Sequence, residues 1–229
     1  MFRLGLFALL AVSCLIARPV ELQAQQGDQA QTARFTAFLG SRHYKRLLLQ
    51  VIAKKDLVLG RACTTGSFTI GMEASTLNTA VEMPEGADWP AKGTWSQKFK
   101  VTRCDLTTIE NVIVISQNGQ QPKVGLLIPG ETVASMDLMR DAMQGVIPAA
   151  YAEAGNRGKK NCKNIRVMDS TLRDRALIVA ELKQGRRVTQ WFEDWLVNAC
   201  GEEFTVYLRF QWDDGKQGTV FNVRNAPFQ

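Results

Sequence analysis

Histidine is almost absent from this sequence, since His43 is the only one among 229 residues. Any Ser–His or Cys–His catalytic pair would therefore need His43 as its base. It stands in the run Ser41-Arg42-His43-Tyr44-Lys45-Arg46, where three cations surround it and suit neither an oriented triad nor a metal ion. We interpret His43 as a surface residue in the first turn of a helix.

Motifs of familiar enzymes are also missing. The sequence contains no Gly-x-Ser-x-Gly, His-Glu-x-x-His or P-loop pattern, which argues against common hydrolase and nucleotide chemistry. Its cysteines include no close pair, which a zinc site would need in a chain with so little histidine. We therefore expect no metal, no cofactor and, on balance, no enzymatic activity.

Long apolar runs are confined to the start of the chain. Met1-Phe2-Arg3 is a short positive start, the stretch from Leu4 to Ile16 is apolar, and Leu22-Gln23-Ala24 offers small residues for cleavage. This arrangement is typical of a secretory signal peptide. Residues 1–24 are therefore predicted to be removed by cleavage near Ala24.

This apolar run is too short to cross a membrane. Arg18 and Pro19 interrupt it before it reaches the roughly 20 residues that a span needs. An alternative is a lipoprotein site at Ala11-Val12-Ser13-Cys14 with Cys14 acylated, although the apolar stretch continues past that cysteine. Residues 25–40 are expected to form a mobile mature terminus. The protein is thus predicted to be periplasmic or secreted, without a transmembrane span.

An internal repeat divides the rest of the chain. Trp95-x-Gln97-x-Phe99-x-Val101-x-x-Cys104 recurs as Trp191-x-Glu193-x-Trp195-x-Val197-x-x-Cys200, 96 positions later. A shared pattern of this length indicates a duplication. It predicts a first α+β repeat over residues 41–129 and a second over residues 130–229.

The repeat also favours one of the possible disulfide pairings. Without Cys14, four cysteines remain, and four cysteines allow three pairings. An offset of 99 places Cys63 on Cys162, so equivalent bonds within each copy are Cys63–Cys104 and Cys162–Cys200. An oxidising compartment favours such bonds over free thiols.

Each copy is predicted to begin with a helix and continue with strands. The first helix should run from Ser41 to Lys55 with Ser41 as its N-cap. The second should begin near Thr132, with a kink or an early stop at Pro148. Alternation of apolar and polar residues then predicts strands, with turns at Asn118-Gly119 and Asp214-Gly215. The predicted strands are Phe68–Met72, Trp95–Val101, Ile109–Ser116, Lys123–Ile128, Ile165–Met168, Ala176–Leu182, Gln190–Val197, Phe204–Trp212 and Thr219–Val223.

The expected fold class is therefore α+β: a tandem duplication of a helix followed by a four- to five-stranded antiparallel sheet, with one disulfide per copy. This plan is similar to that of secreted tandem inhibitor proteins such as β-lactamase inhibitors. The likeness is architectural and carries no shared motif.

A basic segment around Cys162 is a candidate binding surface. The formal net charge is +6, which favours acidic partners. A flexible basic loop beside a disulfide can bind phosphate or carboxylate groups, whereas nucleic acid is not expected because aromatic residues are not interleaved. The alternative is a solvated loop. The candidate binding residues are Arg157, Lys159, Lys160, Lys163 and Arg166, which Lys183, Arg186 and Arg187 would extend.

Glu193 is the one candidate for catalysis. Strand alternation places it on the same face as Trp191 and Trp195, where burial would raise the pKa of its carboxyl group. The alternative is an ion pair with Arg209 or Arg187, or a solvent-exposed face.

The tryptophans are interpreted mostly as core residues beneath a helix. Trp89 is the exception, because it lies in the Pro-rich stretch 78–92 and is expected to be exposed and available for binding.

These features predict an exported, non-enzymatic binding protein that recognises a protein partner or an anionic component of the cell envelope. One alternative is an enzyme that acts on an envelope glycan through Glu193. Another is a small-molecule carrier with a pocket between helix and sheet.

Overall fold

The computed structural model describes residues 20–59, 68–104, 106–215 and 217–228, with side chains from residue 29 onward. Most of the predicted signal peptide, including Cys14, and also Cys63 lie outside these ranges. The described residues form four helices and two four-stranded antiparallel sheets, so the fold is α+β as predicted. The helices are α1 (Val20–Gly40), α2 (Arg42–Val58), α3 (Met136–Asn156) and α4 (Arg175–Lys183).

Each sheet is a simple meander in which neighbouring strands follow one another in the sequence. The first sheet contains β1 (Thr69–Leu77), β2 (Lys92–Arg103), β3 (Leu106–Gln117) and β4 (Lys123–Leu126). The second contains β5 (Ile165–Leu172), β6 (Gln190–Ala199), β7 (Glu202–Asp213) and β8 (Gly218–Arg224).

The segment expected to be a mobile terminus forms a packed helix instead. In α1, Phe35 and Phe38 are buried, and the ring of Phe35 lies 5.2 Å from that of Trp95 in an edge-to-face arrangement. Burial of two phenylalanines offsets part of the entropy cost of ordering this segment. The prediction for residues 25–40 is therefore replaced by a helix that ends at Gly40.

Two helices begin where serine N-caps place them. Ser41 accepts a hydrogen bond from the backbone N–H of Tyr44 at 3.2 Å, and Ser135 accepts one from Leu138 at 3.3 Å. A kink or an early stop was expected at Pro148, and the early stop is wrong, since α3 continues to Asn156. The missing proline hydrogen bond is outweighed by the buried face of α3 on both sides of it, made by Met139, Ala142, Val146, Ala150 and Ala154.

The predicted strand Ala176–Leu182 is the helix α4. Of this segment only Ile178 is buried, while Leu177 and Leu182 are exposed. Alanine, leucine, glutamate and lysine are favourable in helices. A half-buried strand would need alternate side chains to be buried along one face, and in this segment only Ile178 is buried.

The register of the two sheets is equivalent at their centres. Gln97 lies opposite Val112 and Glu193 lies opposite Leu208, a shift of 96 in both strands. Cys104 and Cys200 lie in equivalent tight turns of the two sheets, with φ angles of 47° and 52°.

One predicted disulfide is confirmed. Cys162 and Cys200 are bonded across a sequence separation of 38 residues. Cys104 is disulfide-bonded as well. Because Cys63 lies outside the described ranges, the Cys63–Cys104 pairing stays a prediction.

Each half has its own hydrophobic core. One cluster surrounds Tyr44, Trp95 and Phe99, and the other surrounds Trp195 and Phe210. The tryptophans Trp95, Trp191 and Trp195 are therefore core residues, as expected.

A short connecting segment joins the two halves. The N–H of Gly130 donates to Ile109 of β3 at 2.9 Å, while that of Glu131 donates to Ser170 of β5 at 2.7 Å. Asn111 Nδ2 also donates to the Gly130 carbonyl at 2.9 Å. Residues 128–132, here called the seam, thus bond to both sheets. Among the described residues, no helix has the length and apolar character needed to cross a membrane.

A candidate binding cleft between the two halves

Glu193 is a buried hydrogen-bond hub on β6. Its exposure is 0%. Oε1 accepts from Thr132 Oγ1 at 2.9 Å, from the N–H of Val133 at 3.2 Å and from Trp191 Nε1 at 3.0 Å. Oε2 accepts from Trp195 Nε1 at 2.8 Å. The carboxylate therefore holds the end of the seam and both indole groups in place.

Burial raises the pKa of Glu193, and the four hydrogen bonds partly oppose that shift. A raised pKa alone does not make a catalytic acid, because the group must also reach a substrate. Glu193 lines none of three cavities formed by the described residues, which have volumes of about 280, 320 and 620 Å³, and both of its oxygens already have donors. Its geometry is that of a structural residue.

The largest of these cavities is a cleft of about 620 Å³ between the first sheet and the second half. One wall comes from residues of β1, β2 and β3, and the opposite wall comes from the seam, the start of α3 and the end of α4. Its apolar lining includes Val112, Leu127, Val133, Met136, Met139 and Leu182. Its polar lining includes Thr76, Ser96, Lys98, Asn111 and Thr132.

Lys98 is the cation of this cleft. Its Nζ donates to the carbonyl oxygen of Thr132 at 2.9 Å, and within the described ranges it forms no salt bridge. Burial lowers its pKa, while the charges of Glu73 and Glu131 act in the opposite direction. The ammonium group is thus half-buried and has a backbone acceptor but no contacting carboxylate.

Gln97 lies beside Lys98 and is only 3% exposed. Its Nε2 donates to the carbonyls of Ala74 at 2.8 Å and Lys98 at 2.9 Å. Its Oε1 is buried without a hydrogen-bond partner. Unpaired buried acceptors are uncommon in folded proteins, and this one belongs to a residue of the cleft wall.

The predicted basic loop is exposed and partly neutralised. Arg157 pairs with Glu153 at 2.7 Å and stacks over Phe204, and Lys159 pairs with Glu202 at 3.4 Å. Lys160 and Lys163 are exposed. Arg166 lines a separate, smaller cavity of about 280 Å³ together with Lys55. The structure therefore does not bring these five cations into one pocket.

Trp89 is half-buried, although the sequence predicted exposure. Its ring lies 4.1 Å from His43 and 5.9 Å from Phe38. Aromatic rings bury apolar surface when they pack against one another. Phe38 of α1 provides the surface against which the ring of Trp89 packs. His43 itself is exposed, as expected.

The first half also contains a buried charge network that sequence reasoning did not find. Arg103, 2% exposed, donates to Asp56 Oδ1 at 2.9 Å and to Thr108 Oγ1 at 2.8 Å. Lys55 Nζ donates to the two oxygens of Glu110 at 2.7 and 2.6 Å. The shift of 96 places Ala199 and Val206, both fully buried, at the positions of Arg103 and Glu110. Comparison of the two halves at the shift of 96 is the signal that could have found it.

The described residues contain no cluster of three or more His, Cys, Asp or Glu side chains suited to a metal ion. Comparison with models of protein families, with curated proteins and with solved structures finds no match to this chain.

Proposed function

We propose that this chain is an exported, non-enzymatic binding protein, formed by tandem duplication, whose ligand site is the cleft between its two halves. The observation that carries the proposal is the cleft itself. Its volume of about 620 Å³ falls within the range of known ligand sites, which combine apolar walls with a few polar groups.

Duplication is supported by the register shared at the centre of the two sheets and by the matching turns at Cys104 and Cys200. The cleft forms where the copies meet, and places where two structural units meet are common sites for ligands. Export is supported by the Cys162–Cys200 disulfide, because such bonds persist in oxidising compartments.

A binding role suits the described residues better than catalysis. Glu193, the candidate catalytic residue, is saturated by hydrogen bonds. The cleft contains one lysine and one acidic residue, Asp137, which pairs with Arg140 at 3.1 Å. The expected ligand is a molecule of the cell envelope, either an anionic component or part of a protein.

Affinity capture tests this proposal. The mature protein is immobilised, incubated with an extract of its native cell envelope, and the retained molecules are identified by mass spectrometry. Thr76→Trp introduces a large side chain into the cleft from an exposed strand position. Thr69→Trp is the matched control, because it is an exposed threonine of the same strand that does not line the cleft.

The proposal expects a molecule that the unaltered protein and Thr69→Trp retain and that Thr76→Trp does not. The triple variant Lys159→Glu/Lys160→Glu/Lys163→Glu tests the basic loop in the same experiment. Loss of retention only in that variant would move the binding site to the loop, and absence of any specific retention would overturn the binding function. Circular dichroism verifies that each variant is folded.

A further inference from the structure

We infer that the cleft binds an amphipathic molecule with one anionic head group, and that Lys98 contacts that head. This inference rests on the proposed function and specifies the chemistry of its ligand. It requires a cation without a carboxylate partner, an adjoining apolar surface and enough space for both parts of the ligand.

Lys98 meets the first requirement. Its ammonium group donates to the Thr132 carbonyl, which occupies only one of its three N–H donors. Two donors remain for a ligand. Because the group is half-buried, a charged hydrogen bond made there is screened less by solvent than one on the open surface.

The apolar lining meets the second requirement. Val112 and Leu127 come from the first half, and Val133, Met136, Met139 and Leu182 come from the second. Methionine side chains adapt readily to hydrocarbon chains of different shape. An alkyl or aryl body that extends from Lys98 would therefore contact both halves of the protein.

The surrounding charges favour a single negative charge over several. Glu73 and Glu131 act electrostatically on Lys98, and Asp137 lines the cleft. A polyanion would meet these carboxylates, whereas a compact monoanionic head at Lys98 is less strongly repelled. A carboxylate, a sulfonate or a monoanionic phosphate ester shares this chemistry.

Titration calorimetry with decanoate, uncharged 1-decanol and cationic decylamine tests the inference. All three have the same apolar length, so their affinities isolate the effect of the head group. The unaltered protein is expected to bind decanoate about tenfold to a hundredfold more tightly than 1-decanol, which is the usual contribution of a charged hydrogen bond.

Lys98→Gln should remove that preference and Lys98→Arg should keep most of it. Lys100→Gln is the matched control, since Lys100 is an exposed lysine on the same face of β2 and does not line the cleft. Thr76→Trp should abolish binding, and it keeps the test decisive if Lys98→Gln does not fold.

Equal binding of decanoate and 1-decanol would overturn the anionic head while leaving a cleft that binds apolar ligands. Decanoate binding unchanged in Lys98→Gln or in Thr76→Trp would overturn the assigned position. Absence of binding by all three probes would overturn the inference but not the proposed function, which the capture from the envelope decides separately.

Discussion

Gln97 and Glu193 occupy the same register position in the two sheets but stabilise different parts of the structure. Glu193 accepts hydrogen bonds from both indole groups of β6 and from the seam. Gln97 donates to the backbone of β1 and β2, while the indole of Trp95 donates to the Tyr44 hydroxyl at 3.0 Å. In the first half the indole N–H of Trp95 is thus bonded to a helix residue, Tyr44. In the second half the indole N–H groups of Trp191 and Trp195 are bonded to the neighbouring carboxylate of Glu193.

Glu193→Gln should destabilise the protein by about 2–4 kcal/mol. A glutamine amide accepts hydrogen bonds only through its oxygen, so its NH₂ group would face at least one indole or hydroxyl donor in a site that water does not reach. The free energy of unfolding in urea measures this effect. Glu203→Gln is the control because Glu203 is exposed on the adjoining strand, where a change within about 0.5 kcal/mol is expected. Equal effects of the two substitutions would contradict the role of Glu193 as a hub.

The same residue should make stability depend on pH. Burial raises the pKa of Glu193, so its folded form binds a proton more readily than its unfolded form. Its contribution is therefore greatest below the unfolded pKa of about 4.3, and it declines as pH rises through the higher folded pKa. The difference in free energy of unfolding between the unaltered protein and Glu193→Gln should shrink across that interval. Urea unfolding of both proteins at several pH values tests this, and a difference that grows with pH would show that the four hydrogen bonds outweigh burial.

The sequence predicts the features that the two halves share. The shift of 96 anticipates the equivalent positions of Gln97 and Glu193. Together with the offset of 99 between Cys63 and Cys162, it also anticipates the Cys162–Cys200 disulfide. Strand alternation also identifies Trp95 and Trp195 as core residues. These features depend on local periodicity, which a single sequence displays.

Periodicity does not predict what the outer face of a strand contacts. Lys98 lies between Gln97 and Phe99 in the sequence, so strand alternation predicts that it is solvated. In the structure its ammonium group instead contacts Thr132 of the seam. The cleft joins β1 to the start of α3, about 60 residues further along the chain. The strand predicted for Ala176–Leu182 fails for a related reason, because a short apolar segment fits a helix or a strand until its buried face is known.

Arg103→Met should be costly, because it leaves Asp56 buried without its cation. Removal of one partner from a buried ion pair typically costs about 3–5 kcal/mol. Lys92→Met provides the control, since the Lys92–Glu82 pair lies at the surface and its loss should cost less than about 1 kcal/mol. Urea unfolding of both variants measures the contrast. Similar small effects would indicate that Asp56 finds water or another donor when Arg103 is absent.

Gly130→Ala should destabilise the seam more than an ordinary glycine substitution. Gly130 has a φ angle of +97°, and a Cβ atom there would lie 2.2 Å from the Ser170 carbonyl oxygen and 2.4 Å from the Ser170 nitrogen. Because those atoms belong to the backbone, relief of the clash would break the bonds that Ser170 makes to Pro129 and Glu131.

Gly86→Ala is the matched control for this change. Gly86 also has a positive φ angle, of +70°, but a Cβ atom there would meet nothing within 4 Å. Its substitution should cost about 1–2 kcal/mol from backbone strain alone. Gly130→Ala should cost about 2 kcal/mol more, equivalent to the loss of two hydrogen bonds, and should weaken ligand binding because the seam forms part of the cleft wall. Equal unfolding free energies for the two variants would show that the seam can move away from β5 without loss of stability.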